Sequence, residues 1–323
     1  MSVTRKPSLS IVIPSWNGRG LLEDCLESLQ WQTVDPIEVI VVDDGSTDDT
    51  VAFLAKQFPD IRVIAREQNE GFAIAMNTGL RAAKGEWVFA LNNDVTLAPE
   101  CLEQMLTVAR ESQASIVTPL ILWRDEPATI FAAGDRVLPN GRAVSIGYRE
   151  PRKGFEFPDE VFGATFAAVL VHRSVFETVG CLDEQFVAYF EDVDFCFRAR
   201  LSGVKVALAK DAMAFHIGSA SLAGKNWWRS KQCFTNHSLL VLKNMPTVLI
   251  FLNGPAIFWE RLHQAKSAFS AARAEFGARK ALVVMAGAIG RIWLLIPHIV
   301  KERVQTQRAA QISTKELNRL LHL

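Results

Sequence analysis

The chain alternates between short apolar runs and segments whose apolar residues recur at helical spacing. The runs occupy residues 9–14, 37–42, 61–65 and 87–91, and the helical segments occupy residues 21–30, 50–58 and about 72–83. Strands without polar alternation that are interleaved with helices are typical of a parallel sheet covered on both faces. Short connections of the usual handedness then favour a doubly wound arrangement. The pattern predicts an α/β fold with a doubly wound, mostly parallel sheet.

The pattern changes after about residue 113. Residues 114–148 form short runs broken by Pro and Gly, and Leu-Pro-Asn-Gly at 138–141 is a good hairpin turn. A further apolar run covers residues 161–171, and residues 191–202 are predicted to form a helix with acids in its first turn, as the helix dipole prefers. We therefore predict a second, mixed α+β half over residues 114–223.

Residues 224–323 form a helical, basic extension that is rich in Trp and Phe. It holds 15 Lys or Arg and 4 Asp or Glu, a net charge of +11, whereas the other 223 residues hold 20 and 31, a net charge of −11. This asymmetry indicates an anionic partner surface, either membrane or nucleic acid. We interpret the helices as lying on a bilayer, without nucleic acid. The alternatives are a helical subdomain packed on the rest of the chain and an oligomer interface.

A transmembrane segment is not predicted. Residues 281–300 come closest to the roughly 18 uninterrupted apolar residues that a span needs, but Arg291, Pro297 and His298 interrupt them. The five cysteines are widely spaced and form no CxxC pair, which favours a reduced compartment. Residues 1–7 lack the apolar region of a secretory signal. We expect a cytoplasmic protein at the inner face of the cell membrane.

Acidic and Asn-rich turns follow the apolar runs. They are Asp43-Asp44-Gly45-Ser46, Asn92-Asn93-Asp94 and, opening the predicted helix, Glu191-Asp192-Val193-Asp194. Ligands of α/β proteins bind at the carboxyl ends of the strands. Acids gathered there without an excess of basic partners indicate a cation together with a phosphorylated ligand. For each turn, a structural cap is the alternative, since Asp and Asn also cap helices and loops and acids stabilise helix N-termini.

These motifs, in this order, resemble the family 2 glycosyltransferases over about residues 8–220. The resemblance rests on VIPSWN at 12–17, VVDDGSTDDT at 41–50, NEGFAIAMNTG at 69–79, LNND at 91–94 and DEQFVAYFEDVDFCFR at 183–198. The family has a GT-A fold and inverts the configuration of a nucleotide-activated sugar. The resemblance implies a glycosyltransferase domain over 1–223, with a nucleotide-sugar half over about 1–113 and an acceptor half over about 114–223.

The resemblance also implies a donor site and a metal site. Asp44 would accept a hydrogen bond from the nucleobase, and the other donor residues would be Pro14, Ser15, Asn17, Asn69, Gly71 and Asn93. Asp94 would hold Mg²⁺ or Mn²⁺. The first acid of the family's DXD motif is Asn92 here, so a single carboxylate carries the metal role. His216 matches a late histidine of the family that completes the metal site or touches the diphosphate, although a lone His is more often structural.

For the acceptor site, the resemblance implies that Asp192 is the general base that takes the proton of the acceptor hydroxyl. Glu191 and Asp194 would orient the helix and contact the acceptor. Gly163 would let a sugar approach the backbone, with core packing as an equal alternative.

The motifs 91–94 and 189–199, together with the basic aromatic extension, most resemble the bacterial rhamnosyltransferase-like branch, which acts on lipid-linked or cell-surface glycans. We therefore expect an inverting, metal-dependent hexosyltransferase of cell-envelope polysaccharide biosynthesis, with dTDP-rhamnose as donor. The alternatives are a processive polysaccharide synthase, disfavoured by the missing QxxRW-type sequence, and an inactive membrane-associated nucleotide-binding protein.

Overall fold

The computed structural model describes residues 9–34, 37–158, 160–218 and 226–323. The strands are β1 (Leu9–Ser15), β2 (Ile37–Asp43), β3 (Arg62–Ala65), β4 (Trp87–Leu91), β5 (Val95–Leu97), β6 (Ile116–Trp123), β7 (Ile130–Ala132), β8 (Asp135–Val137), β9 (Ala143–Ser145), β10 (Ala168–His172) and β11 (Val206–His216). The helices are α1 (Arg19–Gln30), α2 (Thr50–Gln57), α3 (Phe72–Ala82), α4 (Cys101–Ser112), α5 (Arg173–Val179), α6 (Glu191–Leu201), α7 (Asn226–Asn244), α8 (Thr247–Leu252), α9 (Gly254–Phe276), α10 (Ala278–Leu294), α11 (Ile296–Ala309) and α12 (Thr314–Leu320), with a 3₁₀ turn at Glu184–Phe186.

One sheet, in the order β3-β2-β1-β4-β10-β6-β11-β5, forms the centre of the molecule, and β7 pairs with β6. β1 to β4 run parallel, β10 is antiparallel to both of its neighbours, and β11 is parallel to β6 but antiparallel to β5. This confirms the predicted α/β fold with a mostly parallel first half and a mixed second half. The predicted hairpin turn joins β8 to β9, and the Leu138 N–H donates to the Arg142 carbonyl at 2.9 Å.

The apolar run at 161–171 is a strand only in part, since β10 begins at Ala168. The residues before β10 bond to loops on either side. The Asp135 N–H donates to the Gly163 carbonyl at 2.9 Å, and the Asn92 N–H donates to the Ala167 carbonyl at 2.9 Å. The run is apolar because it is buried, and burial does not require strand pairing.

Helices cover both faces of the sheet, with a separate hydrophobic core under each face. One core joins β-strand residues to α1, α2 and α4, and the other joins them to α3, α5 and α6. α3 lies especially close to the sheet, because a Cβ placed on Gly79 would be 2.2 Å from Val12 Cγ1. Gly79, the last residue of the motif at 69–79, therefore allows this close packing.

The C-terminal extension packs on the first 218 residues through a third core. Phe186 and Phe197 belong to one buried cluster with residues of α7, α11 and α12, among them Leu239, Ile299 and Leu317. These three helices therefore pack on the rest of the chain, which was one of the alternatives to a position on a bilayer. Large apolar side chains of α8, α9 and α10 remain exposed, including Phe251, Leu252, Phe258, Trp259, Leu282, Val283, Trp293 and Leu294.

Across the described ranges, no single helix has both the length and the apolar composition to cross a bilayer. Length and composition alone would admit the pair Ala278–Leu294 and Ile296–Ala309, which is bent by 48° at its break.

Candidate active site

The predicted donor residues lie where the first parallel strands end. Ser15 and Asp43 are register partners at the carboxyl ends of β1 and β2. The Asp44 N–H donates to the Ser15 carbonyl at 2.8 Å, and Asn93 Nδ2 donates to Ser15 Oγ at 3.1 Å. The turns after β1, β2 and β4 therefore meet at one edge of the sheet, as the pattern of turns predicted.

Asp44 is buried and holds the loop that follows β3. Its carboxylate accepts from Arg66 Nε at 2.9 Å, from the Gly71 N–H at 2.9 Å and from the Glu70 N–H at 3.2 Å. These bonds place Asn69 and Gly71 beside the acidic turn. The role of Asp44 toward a nucleobase stays a prediction; what the structure adds is that the same carboxylate shapes the loop around it.

Asn17 and Gly45 complete this surface. Asn17 has a left-handed backbone, with φ of 48°, and its side-chain oxygen accepts from the Thr47 N–H at 2.8 Å. Gly45 has φ of 72°, and a Cβ there would be 2.6 Å from the backbone of Gln68. Glycine is needed at this position both for the conformation and for the close approach of the two loops. Pro14 is buried in β1, beside Val42.

Asp94 and His216 come together through the antiparallel pair β5 and β11. His216 is the register partner of Val95, the residue after Asp94, and His216 Nε2 lies 3.0 Å from Asp94 Oδ1. Both side chains are buried, and their contact lacks hydrogen-bond alignment. Asp94 Oδ1 and both ring nitrogens of His216 have no hydrogen-bond partner among the described residues. Buried polar atoms usually have one, so this pair has the character of an incomplete ligand set.

The distance of 3.0 Å between His216 Nε2 and Asp94 Oδ1 suits two ligands of one metal ion. Neighbouring ligands of an octahedral ion with bonds of about 2.1 Å are about 3.0 Å apart. Asp94 and His216 have this separation. Within the described residues, they are not part of a group of three or more His, Cys, Asp or Glu side chains that could hold an ion alone. The two residues therefore suit an ion that takes its remaining ligands from water or from a bound phosphate.

Asp192 lies in the first turn of α6 and is half-buried. It accepts from the Val193 N–H at 2.8 Å, and Thr165 and Phe166 lie beside it. In the same loop, two residues after Thr165, the Ala167 carbonyl accepts from the Asn92 N–H at 2.9 Å. One short loop thus joins Asp192 to the turn that carries Asp94. Burial raises the pKa of Asp192, which makes its carboxylate a stronger base.

Two further acids surround Asp192. Burial, together with the charge of Asp192, raises the pKa of Glu191 to about 8, and Glu191 Oε2 is buried without a hydrogen-bond partner among the described residues. Burial and the charge of Asp192 also raise the pKa of Asp135 to about 7, although Ser145 Oγ donates to it at 2.8 Å. Sequence reasoning missed Asp135, because an isolated acid in a hairpin carries no local signal of its later neighbours.

A comparison with protein families identifies the chain. The model of glycosyl transferase family 2 matches residues 10–180, which is more than half of the sequence. The chain belongs to glycosyl transferase family 2. This confirms the family and the enzyme class that the order of the motifs predicted.

The relatives of this family 2 glycosyltransferase carry names of several different activities. It is 27% identical to the low-salt glycan biosynthesis hexosyltransferase Agl10 of Haloferax volcanii over 66% of the chain and 68% of the relative. It is 28% identical to the N-acetylglucosaminyl-diphospho-decaprenol L-rhamnosyltransferase of Mycobacterium tuberculosis over 64% and 75%. Other curated relatives are matched over less of their length: 35% of an uncharacterized glycosyltransferase of Haemophilus influenzae and 20% of the chondroitin synthase of Escherichia coli.

Solved structures share the fold. The mannosyltransferase PcManGT from Pyrobaculum calidifontis, solved with GDP-Man and Mn²⁺, has a TM-score of 0.57 and 18% identity, over 98% of this chain and 88% of its own. GalNAc-T7, solved with UDP, GalNAc and Mn²⁺, has a TM-score of 0.58 and 14% identity, over 74% and 48%. At these identities, the similarity establishes a fold of the GT-A type.

Two acceptor residues predicted for this glycosyltransferase do not fit the geometry. Asp194 is fully buried, and Arg198, Lys243 and Asn244 contact its two oxygens at 2.7 to 3.1 Å. It joins α6 to α7, so an acceptor cannot reach it. Gly163 is also buried, and a Cβ there would be 2.9 Å from Cys196 Cβ. Its lack of a side chain serves the packing of α6, the alternative stated above.

Proposed function

We propose that this protein transfers a sugar from a nucleotide-diphosphate sugar to a hydroxyl of a glycan acceptor, with inversion at the anomeric carbon. One observation supports the proposal most. The 165–167 loop lies beside a half-buried carboxylate, Asp192, and its Ala167 carbonyl bonds to the turn that carries Asp94, which forms an incomplete ligand set with His216. A base for the acceptor and ligands for a diphosphate-bound ion are the two parts that direct displacement requires.

Asp192 acts as the general base in this mechanism. As the acceptor oxygen forms its bond to the anomeric carbon, the bond from that carbon to the diphosphate oxygen breaks, and the hydroxyl proton moves to the Asp192 carboxylate. No covalent enzyme intermediate forms. The Val193 N–H donates to Asp192 Oδ1 and fixes the orientation of the carboxylate. Burial raises its proton affinity, so the proton transfer is more favourable than to an exposed aspartate.

Asp94 and His216 would hold a divalent cation. When bound, such an ion neutralises negative charge on the departing nucleotide diphosphate. Imidazole is a ligand of transition metals, whereas Mg²⁺ prefers oxygen ligands and water. The pairing of a carboxylate with a histidine therefore favours Mn²⁺. The two solved structures named above were obtained with Mn²⁺, which supports the same choice.

We propose dTDP-rhamnose as the donor and a lipid-linked or cell-surface glycan as the acceptor. The 28% identity to an L-rhamnosyltransferase that acts on a decaprenol-linked sugar supports this choice. Asp44, Asn69 and Gly71 would bind the nucleotide at the edge formed by the 43–48 turn and the 66–71 loop.

We also propose that the exposed apolar side chains of α8, α9 and α10 rest on the inner membrane surface. Phe251, Leu252, Trp259, Trp293 and Leu294 are each more than two-thirds exposed. The same extension carries the net charge of +11. Exposed aromatics next to basic side chains are the usual composition of a surface that binds anionic lipid headgroups, and this location would bring the enzyme to a lipid-linked acceptor.

The first experiment combines donor screening with one substitution. A panel of nucleotide sugars is screened by thermal shift with Mn²⁺ present, since a ligand that binds the folded state raises its stability. The best donor is then used to measure transfer by Asp192→Asn. We expect a decrease in kcat of about 10²–10⁴-fold with donor binding retained. Asp211→Asn, at an exposed position, is the matched control. Transfer by Asp192→Asn at the wild-type rate would show that the base is another residue.

The membrane proposal has a separate test. The Trp259→Ser, Trp293→Ser double variant is expected to bind vesicles containing phosphatidylglycerol at least severalfold more weakly than the wild type, and wild-type binding should weaken with added salt. Trp31→Ser is the control, because Trp31 is 73% exposed but lies at the end of α1. Equal vesicle binding by the double variant and the control would contradict the proposal.

A further inference from the structure

The segment before α6 has a backbone that its residues disfavour. Val187, Tyr189 and Phe190 adopt φ angles of 64°, 66° and 72°. None is glycine, and a β-branched residue such as Val187 rarely adopts positive φ. The Ala188 N–H donates to the Phe186 carbonyl at 2.7 Å, which closes a tight three-residue turn around Val187. A conformation of this kind persists only where the surrounding structure enforces it.

This segment, residues 186–190, fixes the start of the helix that carries the base. Phe190 is the N-cap of α6, and its carbonyl accepts from the Asp194 N–H at 2.8 Å. Asp192 lies two residues beyond Phe190. On its other side, the segment touches the donor region, since a Cβ on Gly71 would be 3.4 Å from the Val187 carbonyl oxygen. A change in this backbone would therefore move Asp192 relative to the donor.

A single side chain from the C-terminal extension holds the segment. Asn236, in α7, is fully buried, and its Nδ2 donates to the carbonyls of Phe186, Ala188 and Tyr189 at 2.8, 2.9 and 2.7 Å. An amide has two N–H groups, so one of them is shared between two carbonyls. Three converging acceptors fix the orientation of the amide, because its oxygen would repel them.

Other residues of α7 add weaker contacts to the same segment. The guanidinium of Arg229 lies 5.6 Å from the centre of the Tyr189 ring, and the ring of His237 lies 6.3 Å from that of Phe190. These contacts involve side chains, whereas Asn236 alone binds the strained backbone at three points. It is the residue on which the conformation of the segment depends most directly.

We infer that Asn236 is a positioning residue for glycosyl transfer: it holds residues 186–190 in the conformation that directs Asp192 toward the acceptor. The inference rests on the proposed role of Asp192 as base. It gives α7 a part in catalysis, although α7 lies outside the residues matched by the family model.

The test compares Asn236→Asp and Asn236→Ala with Thr235→Val. Asn236→Asp has nearly the same shape but sets a carboxylate against three carbonyl oxygens, and Asn236→Ala removes the donor without adding charge. Thr235 is the control, because it is equally buried in α7 but donates only to the Lys231 carbonyl of its own helix. Should Asn236→Asp fail to fold, Asn236→Ala carries the same comparison.

We expect both Asn236 variants to lower kcat by about 10–100-fold, as small misplacements of catalytic groups do, with the donor KM changed much less. Hydrogen exchange of peptides covering 186–192 should accelerate. The acidic limb of the plot of kcat against pH should move to lower pH. Water that reaches Asp192 would lessen the rise in its pKa that burial causes, while Glu191 and Asp135 still face Asp192. Thr235→Val should match the wild type in all three measurements.

The exchange measurement needs no turnover, so two failures can be separated. Unchanged exchange and unchanged kcat in folded Asn236→Ala would overturn the role of Asn236 whatever Asp192 does. Equal losses of kcat in Asn236→Ala and Thr235→Val, in proportion to the loss of folded protein, would also overturn it. Transfer at the wild-type rate by Asp192→Asn would overturn the base, and the positioning role with it, even if exchange in 186–192 accelerates.

Discussion

Replacement of Lys243 by an uncharged residue should lower the free energy of unfolding. It is 1% exposed, and its Nζ lies 2.6 Å from Asp183 Oδ2 and 3.0 Å from Asp194 Oδ1. Asp194 keeps contacts with Arg198 and Asn244 when Lys243 is replaced, whereas Asp183 keeps only weaker partners, His298 and the Gln185 N–H. Lys243→Met preserves the length of the side chain but removes one of the two cations that contact Asp194 and leaves Asp183 without its lysine.

The magnitude follows from the burial of the pair. Removing one partner of a buried ion pair typically costs about 3–5 kcal/mol, because the remaining charge is left uncompensated. The unfolding entropy is about 2.1 cal/mol/K per residue, so the 323 residues give about 0.7 kcal/mol/K. If the chain unfolds as one cooperative unit, Lys243→Met should lower Tm by about 4–7 °C.

The cost should also depend on pH. Burial alone would raise the pKa of Asp183. The charge of Lys243 and the hydrogen bonds that Asp183 accepts lower that pKa to about 2. A lowered carboxyl pKa stabilises the fold above the unfolded pKa of about 3.9. That stabilisation is lost as pH falls toward 2. The Tm difference between wild type and Lys243→Met should therefore be full at pH 7 and shrink between about pH 4 and 2.

Differential scanning calorimetry over this pH range measures both effects. Lys315→Met is the control, since Lys315 is exposed and substitutions at such positions usually change stability by less than about 0.5 kcal/mol. A cost below about 1 kcal/mol at pH 7, or a Tm difference that does not vary with pH, would refute the proposed role of Lys243 in joining α7 to α6.

The remaining predictions concern the site and the sheet. Because burial raises the pKa of Asp192, kcat should fall as pH decreases through a limb above the ordinary range for Asp, and a limb at or below pH 4 would contradict the base. Asp94→Asn and His216→Ala should each weaken Mn²⁺ binding by at least about tenfold, measured by calorimetry in the presence of nucleotide diphosphate; full transfer in chelator would disprove the metal role. Gly79→Ala should cost about 1–3 kcal/mol by overpacking against β1, measured by urea denaturation. Gly287→Ala, in α10 where a Cβ meets nothing within 4 Å, should be neutral or stabilising by up to about 1 kcal/mol, and equal costs would refute the packing argument.

Much of the donor half could be predicted from the sequence because its signals are local. An apolar run long enough for a buried strand, ended by Asp, Asn or Gly, specifies both a strand and the turn after it. In a parallel sheet, such turns necessarily lie at the same edge. For this reason the turns that carry Asp44 and Asn93 were predicted to meet, and the structure brings both of them to Ser15, which only the family resemblance had assigned to the donor site.

The acceptor half could be predicted less well, because there the contacts join distant parts of the chain. β10 inserts between β4 and β6 and runs antiparallel to both, which no apolar pattern specifies. Asp135 and Asp192 are distant along the chain and become neighbours only once it is folded. The predicted acceptor contact of Asp194 conflicts with its burial for a related reason: an acid in a first helical turn has the same local pattern whether it meets an acceptor or a buried lysine.

The family, the strand and helix segments of the first hundred residues and the turns that carry the acids could all be predicted from the sequence alone. Hydrophobic periodicity and turn chemistry act over a few residues, so they are legible without the fold. Which acids are paired with a buried cation and which are not follows from long-range packing. That distinction depends on burial and on partners such as His216, Asn236 and Lys243, which long-range packing brings to the acids.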